Sequence, residues 1–400
     1  MKLGRRKTSL SLLGVALLVA MVATAGCAAP QETTEEVPMT TVKIGIGVPL
    51  TQGAVSLGEG IERGAQLAIE DFNASPEAEE LGIRVEPFVV DDQGLPQVGV
   101  NVANQLASDP TVVGVVGHLN SGVSIATSPI YGRAGIVQIT PSSTNPALTL
   151  DQEYGNVFRV CATDPVQGAF AAEAALGPLG FQTAFVVDDS TPYGVGLADE
   201  FVRNFEAGGG TVLGRQKTSD RDTDFSALVT RIRAENPDVI YYGGIYVAGA
   251  LFARQADEAG FEGGFFAGDG IFSPDYIALA GASAEGDLAT KVGLPLEEQP
   301  RGLEFQERFA TEFPDEEVQA FDTYAYDAAY VILAAIRTVA ADLGADQLTT
   351  EAGRAAIIEA VAATDLEGIT GPIGFDENGD TTNKAITLFV VRDGEWVAHE

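Results

Sequence analysis

The sequence predicts an α/β protein built as two doubly wound, parallel-sheet lobes. Three observations carry that expectation. From Val42 onward, short β-branched runs alternate with amphipathic stretches of helical period, the pattern of βαβ units. The runs are apolar throughout, as expected of strands covered by helices on both faces. The alternation also occurs twice in series, and 400 residues suffice for two separate cores.

In the first series "VKIGIGVPL" reads as a strand and residues 61–73 as a helix. "IRVEPFVVDD" is the next strand and residues 98–108 the next helix. "VVGVVG" leads into a helix over 121–133, and "GIVQIT" closes the unit. "NVFRVCATDP" then reads as a crossing out of it. The second series has strands "TAFVVDD", "GTVLGRQ", "DVIYYGG" and "GFFAGDG", with helices near 194–207, 225–236 and 248–259. Pro237 stops the middle helix. After residues 287–292 come helices near 302–313, 318–343 and 351–363. The end, "GPIGFDENGDTTNKAITLFVVRDGEW", reads as two strands around an "ENGD" turn.

The N-terminus is an export signal. Lys2, Arg5, Arg6 and Lys7 precede an apolar core that ends in the small residues "ATAGC". That core is too short for a comfortable transmembrane span. A cysteine directly after Ala-Gly resembles the lipobox of bacterial lipoproteins and makes Cys27 the lipidation site. Thr24 departs from the usual Leu, and ordinary cleavage nearby is the alternative. Arg5-Arg6 leaves the Sec and Tat routes both open. Residues 1–26 are thus read as signal peptide and 27–40 as a lipid-anchored, acidic linker. Only Cys161 remains beyond it, within an apolar run, so no intrachain disulfide is expected.

Charge and motifs exclude several function classes. Twenty-three Lys and Arg against 57 Asp and Glu give a net charge of −34, which argues against nucleic acid as a partner. "GEGIERG" has G-x-G-x-x-x-G spacing, one residue off a dinucleotide fingerprint, and its glutamates would repel phosphate. His118 and His399 are the only histidines, so a zinc water or a Ser–His pair would have to run through His118 alone. In "VVGHLNSG" it reads as orienting a loop. Asp376, Asn378 and Asp380 lack the rest of a calcium loop and read as a turn. No cofactor, metal or enzymatic activity is expected.

The strand ends are more informative, because doubly wound sheets bind ligands beyond the carboxyl ends of their strands. "GHLNSG" leads directly into a helix, placing Ser121 near an N-cap where free N–H groups favour an anion. "ITPSSTNP" holds Ser142, Ser143 and Thr144 between two prolines. The pair suits a small ligand carrying an anionic and a cationic group, both of which must be paired when buried.

Taken in order, "IGIGVPLTQGAVSLGEGIERGAQLAIEDFNA", "VVGHLNSGVS", "ITPSSTNPALT", "YGVGLADEF" and "DFSALVTRIRAENPDVIYYGG" resemble the substrate-binding proteins of branched-chain amino-acid ABC transporters, which have the type I periplasmic binding protein fold. The resemblance implies two lobes joined by a three-strand hinge, with 41–161 and 293–370 in lobe 1 and 162–292 and 371–400 in lobe 2. It also implies roles. Ser121 matches the serine that holds the amino-acid carboxylate. Ser142 or Ser143 falls where a backbone carbonyl accepts from the ammonium, and Thr144 matches a threonine touching both groups. Tyr193 matches a tyrosine that closes over the ligand. Asp269 falls where a glutamate pairs with the ammonium, one methylene shorter, so either the lobes close further or water bridges.

The chain departs from that pattern in three ways. Ile245, with Tyr246 beside it, stands where the amino-acid binders have tyrosine. Leu57 replaces an aromatic wall residue, and Gly94 and Asn120 replace a disulfide. The implied function is a monomeric, lipid-anchored extracytoplasmic receptor that hands an amino acid, branched-chain or otherwise aliphatic, to an ABC permease and its ATPase. Alternatives are an amide, urea or aromatic acid as ligand, or a sensing role without transport.

Overall fold

The computed structural model describes residues 39–399. The signal peptide, Cys27 and nearly all of the acidic linker lie outside the described residues. The first sheet consists of β1 (Thr40–Val48), β2 (Ile83–Asp91), β3 (Val112–Gly117), β4 (Val137–Thr140) and β5 (Val157–Arg159). It is parallel throughout, in the order β2-β1-β3-β4-β5. Its connections carry α1 (Val55–Asn73), α2 (Pro76–Glu80), α3 (Pro96–Ser108), α4 (Ser121–Arg133) and α5 (Ala147–Leu150). β3 is buried along its whole length, which is why it reads "VVGVVG" with no polar alternate. The strand order reverses between β1 and β3, the place where such sheets open a ligand crevice.

The second half runs through α6 (Asp164–Leu176), β6 (Thr183–Asp188), α7 (Pro192–Ala207), β7 (Thr211–Lys217), α8 (Ser226–Glu235), β8 (Val239–Gly243), α9 (Tyr246–Glu258), β9 (Gly264–Ala267), α10 (Pro274–Ala280) and β10 (Leu288–Val292). The chain then forms α11 (Gly302–Glu312), α12 (Asp322–Leu343), α13 (Glu351–Ala362), β11 (Asp365–Glu367), β12 (Pro372–Gly374), β13 (Ile386–Arg392) and β14 (Glu395–Ala398). The seven-stranded sheet has the order β14-β13-β10-β9-β8-β6-β7. α12 packs along α1 and against β3 and β4, so the late helices belong with the first sheet. β13 and β14 return to the second.

Four local expectations are revised. The second sheet is not wholly parallel, because β13 runs antiparallel to β10 and β14 to β13. The crossing at 156–165 is where the chain leaves the first sheet, but it is not plain connection: it carries β5 and the start of α6, with Pro165 in that helix's first turn. "ENGD" closes only the single bridge Phe375–Thr381. The hairpin turn proper is Asp393-Gly394, both residues at positive φ (53° and 79°), as a two-residue hairpin loop requires. Finally, α1 starts at Val55, so "GEGIERG" lies inside a helix. A Cβ at Gly60 would collide with the Asp322 carboxylate and one at Gly64 with the Asp322 carbonyl. Those glycines let α12 approach closely; they do not form a phosphate loop.

Candidate functional site

A small cavity, partly continuous with solvent, opens between the carboxyl ends of the two sheets. It is lined by Leu57, Ser121, Ser142, Tyr193, Ile245 and Asp269, together with Leu119, Asn120, Gly270 and Phe321. Six of the nine ligand positions expected from the sequence therefore face one space, although they come from both halves of the chain.

On the side of the first sheet, Ser121 is the first residue of α4 and is 1 % exposed. The earliest N–H groups of a helix have no acceptor within it, and the Asn120 side chain does not cap them. The Asn120 Oδ1 is itself buried without a partner. The Ser121 hydroxyl takes the Asn145 N–H at 3.3 Å, tying this helix start to the "SSTNP" loop. The Ser142 hydroxyl donates to the Leu119 carbonyl at 3.1 Å.

Ser143 is turned elsewhere. Its hydroxyl lies 2.7 Å from Ser124 Oγ and 3.0 Å from the His118 carbonyl, and its own carbonyl accepts from Arg159 Nη1 at 2.7 Å. Of the two carbonyls left open by the sequence, that of Ser143 is engaged, whereas Ser142 lines the cavity. Thr144 is fully buried, and its Oγ1 has no hydrogen-bond partner.

On the opposite side, Tyr193 donates its hydroxyl proton to Asp269 Oδ1 at 2.8 Å and accepts the Gly270 N–H at 3.0 Å. Asp269 is 1 % exposed, and its second oxygen, Oδ2, has no partner. Burial pushes its carboxyl up to about 6, against the lowering effect of the Tyr193 hydroxyl and the neighbouring Gln167 side chain. Ile245, immediately before α9, contributes an aliphatic wall. Tyr246 bridges the halves, its hydroxyl accepting from Ser56 on α1 at 3.0 Å. Asn145 Nδ2 makes a second bridge, donating to the Pro192 carbonyl at 2.7 Å.

Sequence reasoning missed the residue that shapes the loop. Arg159, fully buried, donates Nε to Asp380 at 2.6 Å, Nη1 to the carbonyls of Ser143 and Asn145 at 2.7 and 3.0 Å, and Nη2 to Thr149 at 2.5 Å. The acidic turn "DENGD" thus supplies the counter-ion of a guanidinium that pins "SSTNP" from behind. A lone arginine in the apolar run "VFRVCA" was the available signal, since buried arginine demands a partner.

Asp164 was also missed. It opens α6 and donates its N–H to the Thr144 carbonyl at 2.9 Å. Both its carboxylate oxygens are buried without partners, and burial pushes it up to about 8. His118 is fully enclosed, Nδ1 at 2.6 Å from Asp92 and Nε2 at 3.0 Å from Tyr131, while its carbonyl collects the Ser124, Thr140 and Ser143 hydroxyls. Its part in the structure is to hold the loops after β3 and β4.

Two α/β halves with a small, largely apolar cavity bearing a few polar groups at the carboxyl ends of both sheets define a solute-binding receptor of the type I periplasmic binding protein fold. The chain belongs to the periplasmic binding protein family, whose model matches residues 41–395. It is 32 % identical over 364 residues to the Leu/Ile/Val-binding protein BraC3 of Rhizobium johnstonii, covering 90 % of this chain and 94 % of the relative. With Leu/Ile/Val-binding protein homolog 2 of Brucella abortus it shares 31 % over 358 residues, 88 % and 91 % of the two chains. Among solved structures, the leucine binding protein LivK of Thermotoga maritima superposes with a TM-score of 0.81 at 32 % identity, covering 90 % of this chain and 98 % of that one. LivJ of Streptococcus pneumoniae in complex with isoleucine has the same fold, with a TM-score of 0.79 at 22 % identity and coverage of 90 % and 99 %.

Proposed function

We propose that this receptor binds an aliphatic α-amino acid, leucine, isoleucine or valine first, and delivers it to an ABC permease and its ATPase. Family membership implies an extracytoplasmic location, and Cys27 is the residue through which the chain would be tethered. The observation carrying the ligand class is the pairing of opposite walls in one cavity. Ser121 at the start of α4 offers N–H and hydroxyl donors to a carboxylate, and the unpartnered Asp269 Oδ2 offers an acceptor to an ammonium. The Ser142 carbonyl is a further acceptor. Leu57, Ile245 and Phe321 form the apolar remainder, suited to a branched side chain.

The lobes assigned are the two sheets with their helices, and the Ser56–Tyr246 and Asn145–Pro192 bridges belong to the closed arrangement that a permease would recognise. The Asp269 carboxylate, which has no cation beside it, argues against a simple aromatic acid, which would bring a second negative charge to it. Calorimetry on a chain beginning at Ala28 tests the reading with leucine, isoleucine, valine, benzoate, urea and short amides. Saturable binding of a branched-chain amino acid supports it. A hit only among the non-amino acids overturns the ligand while leaving the fold intact. Transport rather than sensing is tested by uptake of the labelled ligand in cells with and without the receptor.

A further inference from the structure

A second space, also open in part to solvent, adjoins the amino-acid cavity, and Asn120 and Ile245 are walls of both. Its other walls come from segments beyond the strands of both sheets. Gln52 follows β1, Gln93 and Leu95 follow β2, Asp220 and Arg221 follow β7, and Val247 lies in the first turn of α9. Ser121, Tyr193 and Asp269 line only the inner cavity. The outer space therefore takes neither the carboxylate nor the ammonium of an amino acid. Because Ile245 borders both spaces, a side chain running along it passes from one into the other.

Asn120 stands at the N-cap of α4 with an extended backbone (φ −81°, ψ 128°). An asparagine there ordinarily turns its Oδ1 onto a free N–H of the first helical turn. Here the backbone carbonyl of Asn120 accepts the Val123 and Ser124 N–H groups, at 2.9 and 3.0 Å, and the side chain makes no capping bond. Its Oδ1 is left buried without a partner, a state that is destabilising unless something else supplies a donor. Gly94, at φ 67°, keeps the space beside it: a Cβ there would have Oδ1 as its nearest neighbour, 3.2 Å away. A free acceptor thus stands at the junction of the two spaces.

The rest of the outer lining is balanced in charge. Asp220 and Arg221 bring one charge of each sign, Gln52 and Gln93 bring neutral amides, and Leu95 and Val247 are apolar. That set favours neither a carboxylate nor an ammonium. It suits a neutral group that both donates and accepts.

We infer that the receptor also takes α-amino acids with a long side chain ending in an amide or ureido group, the chain running past Ile245 into the outer space and its terminal N–H donating to Asn120 Oδ1. The inference rests on the amino-acid reading of the inner cavity and extends its ligand range. Asn120 is then the residue that selects a polar chain end over an apolar one.

Calorimetry on the full chain compares leucine, citrulline and 2-aminooctanoate, whose alkyl side chain matches that of citrulline in length and has no polar atom. The expected result is saturable citrulline binding, at least about tenfold tighter than that of 2-aminooctanoate. Asn120→Leu should shift the citrulline-to-leucine affinity ratio at least about tenfold against citrulline. Leucine binding without citrulline binding, or citrulline no tighter than 2-aminooctanoate, overturns the inference and leaves the amino-acid reading in place. An unchanged citrulline-to-leucine ratio in Asn120→Leu overturns it as well. Binding of none of the three removes the amino-acid reading and the inference with it. Should Asn120→Leu fail to fold, citrulline against 2-aminooctanoate in the unaltered chain decides.

Discussion

Replacing Asp269 by asparagine should stabilise the protein and impair its function. Asp269 titrates at about 6 in the fold instead of the ordinary 3.8 because it is buried. Ionising it there costs on the order of 3 kcal/mol more than in the unfolded chain. The sign follows from proton binding. Between pH 4 and 6 the fold holds the Asp269 proton more tightly than the unfolded chain does, so stability falls as pH rises through that window. The full cost is present above about pH 6. Asparagine keeps the acceptor for Tyr193 and removes the charge. At pH 7.5 and without amino acid, Asp269→Asn should therefore melt about 4 °C higher if the described residues unfold as one unit. The gain should shrink toward zero near pH 4. Asp164 and the other buried acids are common to both proteins and largely cancel. The same substitution removes the proposed ammonium partner, so leucine affinity should fall by about 2–5 kcal/mol. Calorimetric melts at pH 4.5 and 7.5, with and without leucine, measure both effects. An asparagine variant no more stable at pH 7.5, or equally displaced at both pH values, would refute the burial argument. Unchanged leucine affinity would refute the assigned role.

Other outcomes follow from the same geometry. In the unaltered protein, leucine binding should weaken about tenfold per pH unit below about 6, where Asp269 must first lose its proton; calorimetry across pH 4.5–8 tests this. Ser121→Ala should cost about 1.5–3 kcal/mol of amino-acid affinity, the worth of a hydrogen bond to a charged group, with little change in urea unfolding. Arg159→Met should destabilise by about 3–5 kcal/mol in urea unfolding, since it strands Asp380 and frees three acceptors. Tyr246→Phe removes the Ser56 bridge between the halves, so it should lower ligand affinity by about 1 kcal/mol without altering the cavity wall, measured by calorimetry.

The order of elements was legible because helix and strand periodicities are local and both sheets needed continuous apolar strands. Boundaries failed where tertiary contacts, not local propensity, set them. α1 extends a turn and a half upstream of its expected start because Gly58, Gly60 and Gly64 allow Pro49 and α12 to close on it. The hairpin lies at Asp393-Gly394, a local Asp-Gly turn passed over in favour of "ENGD", whose Asp380 instead pairs with Arg159.

By itself the sequence determined the α/β class, the two serial units and the polar loops at the ends of β3 and β4, since patterning and turn chemistry act between near neighbours. Which serine carbonyl is spoken for was decided only by the tertiary structure, because Arg159 reaches the Ser143 carbonyl from the next strand. The same holds for the meeting of Ser121 with Asp269, residues 148 positions apart by their numbering. Burial and charge pairing depend on segments distant in sequence, and only their packing fixes which polar atoms find partners.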